Sequence, residues 1–102
     1  MAEDVVRILR ALASQRRLQI LEWLKAPRAH FSPQTDGDLV RDGVCALALA
    51  EKMGISHPTL GEHMKMLCQA DLVISTRVKN WRFYRRNEPG IERAKSLIQE
   101  RL

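Results

Sequence analysis

The apolar positions of this 102-residue chain take helical spacing at both ends and through the middle, and strand spacing once, late in the sequence. Val5, Ile8, Leu9 and Leu12 repeat at intervals of three and four, which predicts an amphipathic first helix over about residues 3–13. Ser14 suits the cap of a second helix over 15–25, whose apolar face is Leu18, Ile20, Leu21 and Leu24. Ala26-Pro27 ends it. Periodicity then disappears in RAHFSPQTDGDLVRDG, rich in Asp, Gly and Pro, which predicts a long loop or partly ordered excursion over 26–43.

Val44 to Met53 (VCALALAEKM) is apolar and helix-forming, and Gly54 after it suits a left-handed C-cap. The stretch ISHPTLGEHMKML, Ile55 to Leu67, predicts a further helix with Ser56 as N-cap and Pro58 in the first turn, where its missing N–H costs nothing. Leu60, Met64 and Leu67 lie on one stripe facing a core, leaving His57, Thr59, Gly61, Glu62 and Lys65 on the opposite face. Helix, glycine turn, helix over 44–70 is a helix-turn-helix. LVISTRV (72–78) has the β-branched content of a strand, and WRFYRR (81–86) alternates aromatic and basic residues. Lys79-Asn80 then forms a hairpin tip, with Asn80 tolerating positive φ. A last helix over 88–102 carries Ile91, Ala94, Ile98 and Leu102 on one stripe. The expected fold is mainly α with a β-hairpin wing: one winged helix-turn-helix domain over 1–102.

Apolar stripes on both terminal helices predict a two-fold dimer through the first and last helices, with Val5, Ile8, Leu12, Ile91, Ala94 and Ile98 at the interface. The other reading is that each helix packs only within its own subunit.

Charge points to an anionic partner: 17 Lys and Arg against 12 acids give a formal net charge of +5, and nucleic acid is the commonest such partner. No apolar run approaches membrane-spanning length, and the opening MAEDVVRILR is unlike a signal peptide, so a cytoplasmic protein with no membrane partner is expected. Cys45 and Cys68 lack the paired spacing of a zinc knuckle or disulfide framework, so reduced thiols are expected, with no metal and no cofactor. Cys45 opens a helix, where the dipole favours a thiolate and hence a soft-ligand or redox role, whereas Cys68 reads as a small buried hydrophobe. His30 with Asp36, Asp38 and Asp42 offers an oxygen-rich cation site, though Asp-Gly-Asp is also a common turn. His63 reads as a hydrogen-bonded core histidine.

Three strings, LRALASQRRLQILEWL, VCALALAEKMGISHPTLGEHMKMLCQADLV and TRVKNWRFYRR, resemble the ArsR/SmtB family of bacterial winged-helix repressors, across most of the chain outside Arg28 to Gly43. The resemblance is carried by LA-x-x-x-R-L-x-I-L with Arg17 in the arginine position, by the turn at Gly54 to Thr59, by His63, and by the aromatic wing strand Trp81 to Tyr84. It implies a homodimeric, DNA-binding transcriptional regulator, usually a repressor released by a metal, a metalloid or another small signal. Some family features do not transfer. Where arsenite sensors in the family often place Cys-x-Cys, this chain has Cys45 and Leu47, and no His follows His63 to complete a zinc site with Glu88, Glu92 and Glu100. Gly61 and Glu62 stand where the family often has Ser and His or Gln, which implies a different operator.

For double-stranded DNA, the expected contacts are Ser56, His57, Thr59, Gly61, Glu62 and Lys65 on the recognition helix and Arg77, Lys79 and Arg82 on the wing. The first turn offers N–H groups and a dipole to phosphate, Glu62 and Lys65 suit base edges, and wing guanidiniums suit phosphate or a narrow minor groove. Arg77, Lys79, Arg82, Arg85 and Arg86 lie within ten residues, and by alternation Arg82 leaves the core while Trp81 and Phe83 or Tyr84 pack. Arg16, Arg17 and Gln19 offer further backbone contacts, or Arg17 pairs with an acid. Mid-helix Gly61 costs about 1 kcal/mol against Ala, which predicts close approach by DNA or by a facing helix. No catalytic constellation stands out, so an enzyme is not expected. The alternative to a repressor is a protein-interaction winged helix that binds no specific DNA.

Overall fold

The computed structural model describes the backbone of residues 2–102 and the side chains from residue 4 onward. In chain order it contains α1 (Ala2–Leu12), α2 (Gln15–Lys25), α3 (Pro27–His30), β1 (Val44–Cys45), α4 (Ala46–Met53), α5 (His57–Gln69), β2 (Val73–Val78), β3 (Trp81–Arg86) and α6 (Glu88–Arg101). The three strands form an antiparallel sheet in the order β1-β3-β2.

Local chemistry sets the helix ends. Ser14 Oγ accepts the Arg17 N–H at 3.3 Å and so caps α2, as its position predicts. Gly54 closes α4 with φ 72 and ψ 34, its N–H and that of Ile55 returning to the carbonyls of Glu51 and Ala50 in a Schellman arrangement. The end of α5 uses the same geometry without glycine. Asp71 takes φ 59, and Asn87 Nδ2 holds its carbonyl at 2.9 Å. Ile20, Leu49, Leu60, Met64 and Leu67 are fully buried where α2, α4 and α5 meet, and Val44, Leu72 and Tyr84 extend that core onto the sheet. Each such side chain contributes about 1.5–3 kcal/mol by leaving water.

The segment after α2 departs most from expectation. Pro27–His30 forms a one-turn helix and the rest is ordered. Leu39 is buried, Asp38 accepts the N–H groups of Val40 and Arg41 at 3.0 and 2.7 Å, and Asp42 accepts that of Asp38 at 2.7 Å. These bonds hold both carboxyls below the usual carboxylate range. Gln34 ties the segment to the sheet, donating to the Gly43 carbonyl at 3.0 Å and accepting the Cys45 N–H at 2.7 Å. Gly43, at φ 110, lies so close to the Tyr84 carbonyl that no Cβ would fit.

Three further expectations need correction. Val44 and Cys45 do not begin a helix but pair with Tyr84 and Phe83 as β1, because β3 has an open edge there. The positive φ at the hairpin tip belongs to Lys79, at 56, and Asn80 is not in that region. Trp81 does not pack into the core: it is 44% exposed, whereas Phe83 and Tyr84 are both buried. β3 is the central strand and both its faces are covered, Tyr84 joining the helical core while Phe83 lies under the 31–37 segment, 2.8 Å from where a Cβ on Gly37 would sit. The residues expected at a dimer interface also find partners within their own chain. Val5, Ile8, Ile91 and Ala94 are buried, Leu12 and Ile98 pack against the core, and α1 lies against α6, with Arg93 bonded to Asp4 at 3.3 Å. Val6 and Leu9, 44% and 47% exposed, are what α1 leaves open.

Candidate nucleic-acid interface

α5 is presented as its apolar spacing predicts, with Leu60, Met64 and Leu67 inward and His57, Thr59, Gly61, Glu62 and Lys65 exposed. Ser56, also exposed, caps it: its Oγ accepts the Thr59 N–H at 3.2 Å and donates to Thr59 Oγ1 at 2.9 Å. The Thr59 hydroxyl is thus part of the cap. Gly61 has nothing within 4 Å of the position a Cβ would take, so no facing helix requires a glycine there.

The helix is held at its inner edge by Arg17. Among the described residues this arginine pairs with no acid, and it does not face outward as a phosphate contact; its Nε donates to the Ala11 carbonyl at 2.7 Å, its Nη2 to the Arg10 carbonyl at 3.1 Å, and its Nη1 to His63 Nδ1 at 2.9 Å. One guanidinium therefore joins the end of α1 to α5. His63 keeps a pKa below the ordinary histidine range, because burial and then the charges of Arg17 and Arg16 disfavour its protonated form. It is a structural histidine, as expected.

The wing's cations divide into two groups. Arg77 and Arg82 are exposed and stand directly opposite each other across the β2–β3 hairpin. Like charges in that register destabilise a sheet, and Arg82 Nη1 turns aside to Ser75 Oγ at 2.7 Å. Together with His57 they line a cleft of about 310 Å³ between the first turn of α5 and the wing, so three of the expected DNA contacts converge. Of the others, Lys79 and Arg86 are committed within the chain. Lys79 Nζ pairs with Asp36 at 2.8 Å, which keeps its pKa above the usual lysine range. Arg86 bonds the Glu88 carboxylate at 2.9 Å and the Leu21 carbonyl at 3.2 Å. Arg85 is half-buried, with its Nε lacking a partner among the described residues.

Cys45 is half-buried at the start of α4 and reaches the wall of the same cleft. Cys68 is free too, its thiol pushed up by burial. No group of three or more His, Cys, Asp or Glu placed to hold a metal occurs among the described residues, so His30, Asp36, Asp38 and Asp42 do not converge on a cation site. None of the described helices is long and apolar enough to cross a membrane. Sequence reasoning missed the anchoring roles of Gln34 and Arg17 and the exposure of Trp81; the two shorter bonds of Gln34, to Gly43 and Cys45, reach nine and eleven residues along the chain, beyond any local signal.

No family profile matches the chain. It is 29% identical over 96 residues, 94% of its length and 96% of the relative's, to YbzH of Bacillus subtilis, described as an uncharacterized HTH-type transcriptional regulator. Its fold matches that of an ArsR-family transcriptional regulator with a TM-score of 0.72 at 15% identity, covering 99% of this chain and 89% of the other. A solved homodimeric winged helix-turn-helix DNA-binding domain from Mycobacterium bovis, described as a possible ArsR-family regulator, is 26% identical with a TM-score of 0.67, over 96% of this chain and 77% of that one.

Proposed function

With the chain a winged helix-turn-helix protein that resembles ArsR-family regulators over nearly its whole length, we propose that it is a homodimeric DNA-binding transcriptional repressor of the cytoplasm. In this reading it binds a palindromic operator and is released by a small signal. The observation that carries it is the meeting of Arg77, Arg82 and His57 at one cleft beside the exposed first turn of α5. Two opposed guanidiniums repel each other until a polyanion lies between them, so phosphate relieves a cost the free hairpin bears. The N-terminal turn of α5 adds the positive end of the helix dipole, its Thr59 N–H being held by Ser56 and Pro58 having none, while Glu62 and Lys65 face base edges.

A second copy is assigned to the outer stripe of α1, where Val6 and Leu9 leave apolar surface in water. Two-fold pairing sets two copies of α5 about 34 Å apart, one duplex turn, which calls for an inverted repeat. Selection of binding sites from a random duplex pool tests this: two inverted half-sites about one helical turn apart are expected, and recovery of single half-sites or of no consensus overturns it.

A further inference from the structure

A groove of about 800 Å³ runs between residues 31–36 and α4. Phe31 and Pro33 form one wall, Leu47 and Ala48 the other, and Trp81 and Phe83 of β3 close the end. Its size is that of small-molecule sites, which span roughly 300–1,000 Å³ and are lined mostly by apolar and aromatic side chains. Leu47 and Trp81, each 44% exposed, border this one concavity, so an occupant would cover two large apolar side chains that the folded chain leaves in water.

The groove is built before anything enters it. Gln34 fixes its floor to β1, Lys79 pairs with Asp36 at its rim, and Phe31 meets Trp23 edge-on at 6.1 Å beneath Lys52, whose Nζ sits 5.4 and 5.5 Å from the two rings. The charges along it cancel: Asp36 is matched by Lys79, and Glu51 adjoins Lys52 on the same helix. A guest of either sign would gain little from that rim, while the Phe31 and Trp81 rings, backed by buried Phe83, favour a flat unsaturated one. The wall formed by residues 31–36 lies in the segment outside the strings that carry the family resemblance.

We propose that the groove binds an uncharged, planar aromatic small molecule. The site has a direct route to the wing: Cys45, Leu47 and Trp81 line both this groove and the cleft that holds His57, Arg77 and Arg82. A guest against Trp81 therefore shares a wall with the DNA-facing cleft.

The test is a fluorescence titration of the DNA-free protein with N-phenyl-1-naphthylamine, an uncharged aromatic probe that brightens in apolar surroundings. Saturable binding of one probe per chain is expected, with Leu47→Asp and Trp81→Ser each weakening it by about tenfold or more, roughly one buried apolar contact. Val40→Asp, at an exposed apolar position outside the groove, should leave it unchanged. All three positions are exposed, and thermal unfolding by circular dichroism checks that each variant folds. Absence of saturable binding, or binding indifferent to both groove substitutions in folded protein, overturns the proposal. Because no DNA is present, the outcome is independent of the regulator reading.

Discussion

Arg17 Nη1 lies 2.9 Å from His63 Nδ1, joining two helices whose residues are 46 positions apart. A guanidinium has no acceptor, so Nδ1 must accept and the neutral ring carries its proton on Nε2. Protonation of Nδ1 would replace that bond with two cations in contact.

A pH dependence follows with a definite sign. The folded state holds the His63 pKa below the 6.5 of an unperturbed histidine, so between those values the unfolded chain binds more protons and stability rises with pH. The contribution is fully present above pH 6.5 and is lost as pH falls through the lower folded value. Urea unfolding midpoints at pH 7.5 and 5.5 should therefore drop more for wild type than for His63→Gln. An equal drop in both proteins would show that His63 is not the group responsible.

Removing Arg17 should be costly for a residue on a helix surface. Arg17→Ala abandons two carbonyls at the end of α1 along with His63, and charged hydrogen bonds of this kind contribute about 1.5–3 kcal/mol each in partly buried settings. We expect a loss of about 2 kcal/mol or more in unfolding free energy. A double-mutant cycle with His63→Ala should show coupling between the two, and additive losses would contradict the clamp.

Gly61 separates folding from recognition. Nothing lies within 4 Å of where a Cβ would sit, so Gly61→Ala meets no clash and should stabilise the helix by about 1 kcal/mol, visible as a melting temperature several degrees higher. If a DNA backbone approaches there, the same substitution should weaken duplex binding by about tenfold, around 1.4 kcal/mol. Higher stability with unchanged DNA affinity would place the contact elsewhere on α5.

The assignment of the second copy to α1 makes its own prediction. Leu9→Asp puts a charge on an exposed position, so the chain should stay folded while its mass by light scattering falls from twice 11.7 kDa to 11.7 kDa. Ile8→Ala should instead cost about 2–5 kcal/mol, since Ile8 is buried within the chain. A dimer that survives Leu9→Asp and Val6→Asp together would place the interface on another face.

What could be read along the chain is what depends on neighbours in sequence. Ser14, Gly54 and Ser56 act within four residues of themselves, and each stands where its local chemistry puts it. Leu60, Met64 and Leu67 likewise announce which side of α5 is buried. Periodicity failed where coverage comes from a distance. The stripe of Val5 and Ile8 shows that something lies against α1 but cannot say whether it is α6 of the same chain or a second copy. Alternation could not place Trp81, Phe83 and Tyr84, because β3 gains an edge partner from residues 44–45 and a cover from residues 31–37. Of the basic wing residues, position alone did not separate Arg77 and Arg82 from Lys79 and Arg86, whose partners Asp36 and Leu21 are 43 and 65 residues away.

That division within the wing is the most direct point of attack on the DNA-binding reading. Duplex affinity measured by fluorescence anisotropy across a salt series, for wild type and for Arg77→Ala/Arg82→Ala, reports how many phosphates the wing neutralises. Four arginines per dimer at about 0.9 each should flatten the slope of log affinity against log salt by about 3 to 4, whereas Arg86→Ala should lower stability and leave the slope alone. A slope unchanged by losing Arg77 and Arg82, or wild-type binding with no salt dependence, would contradict a DNA-gripping wing.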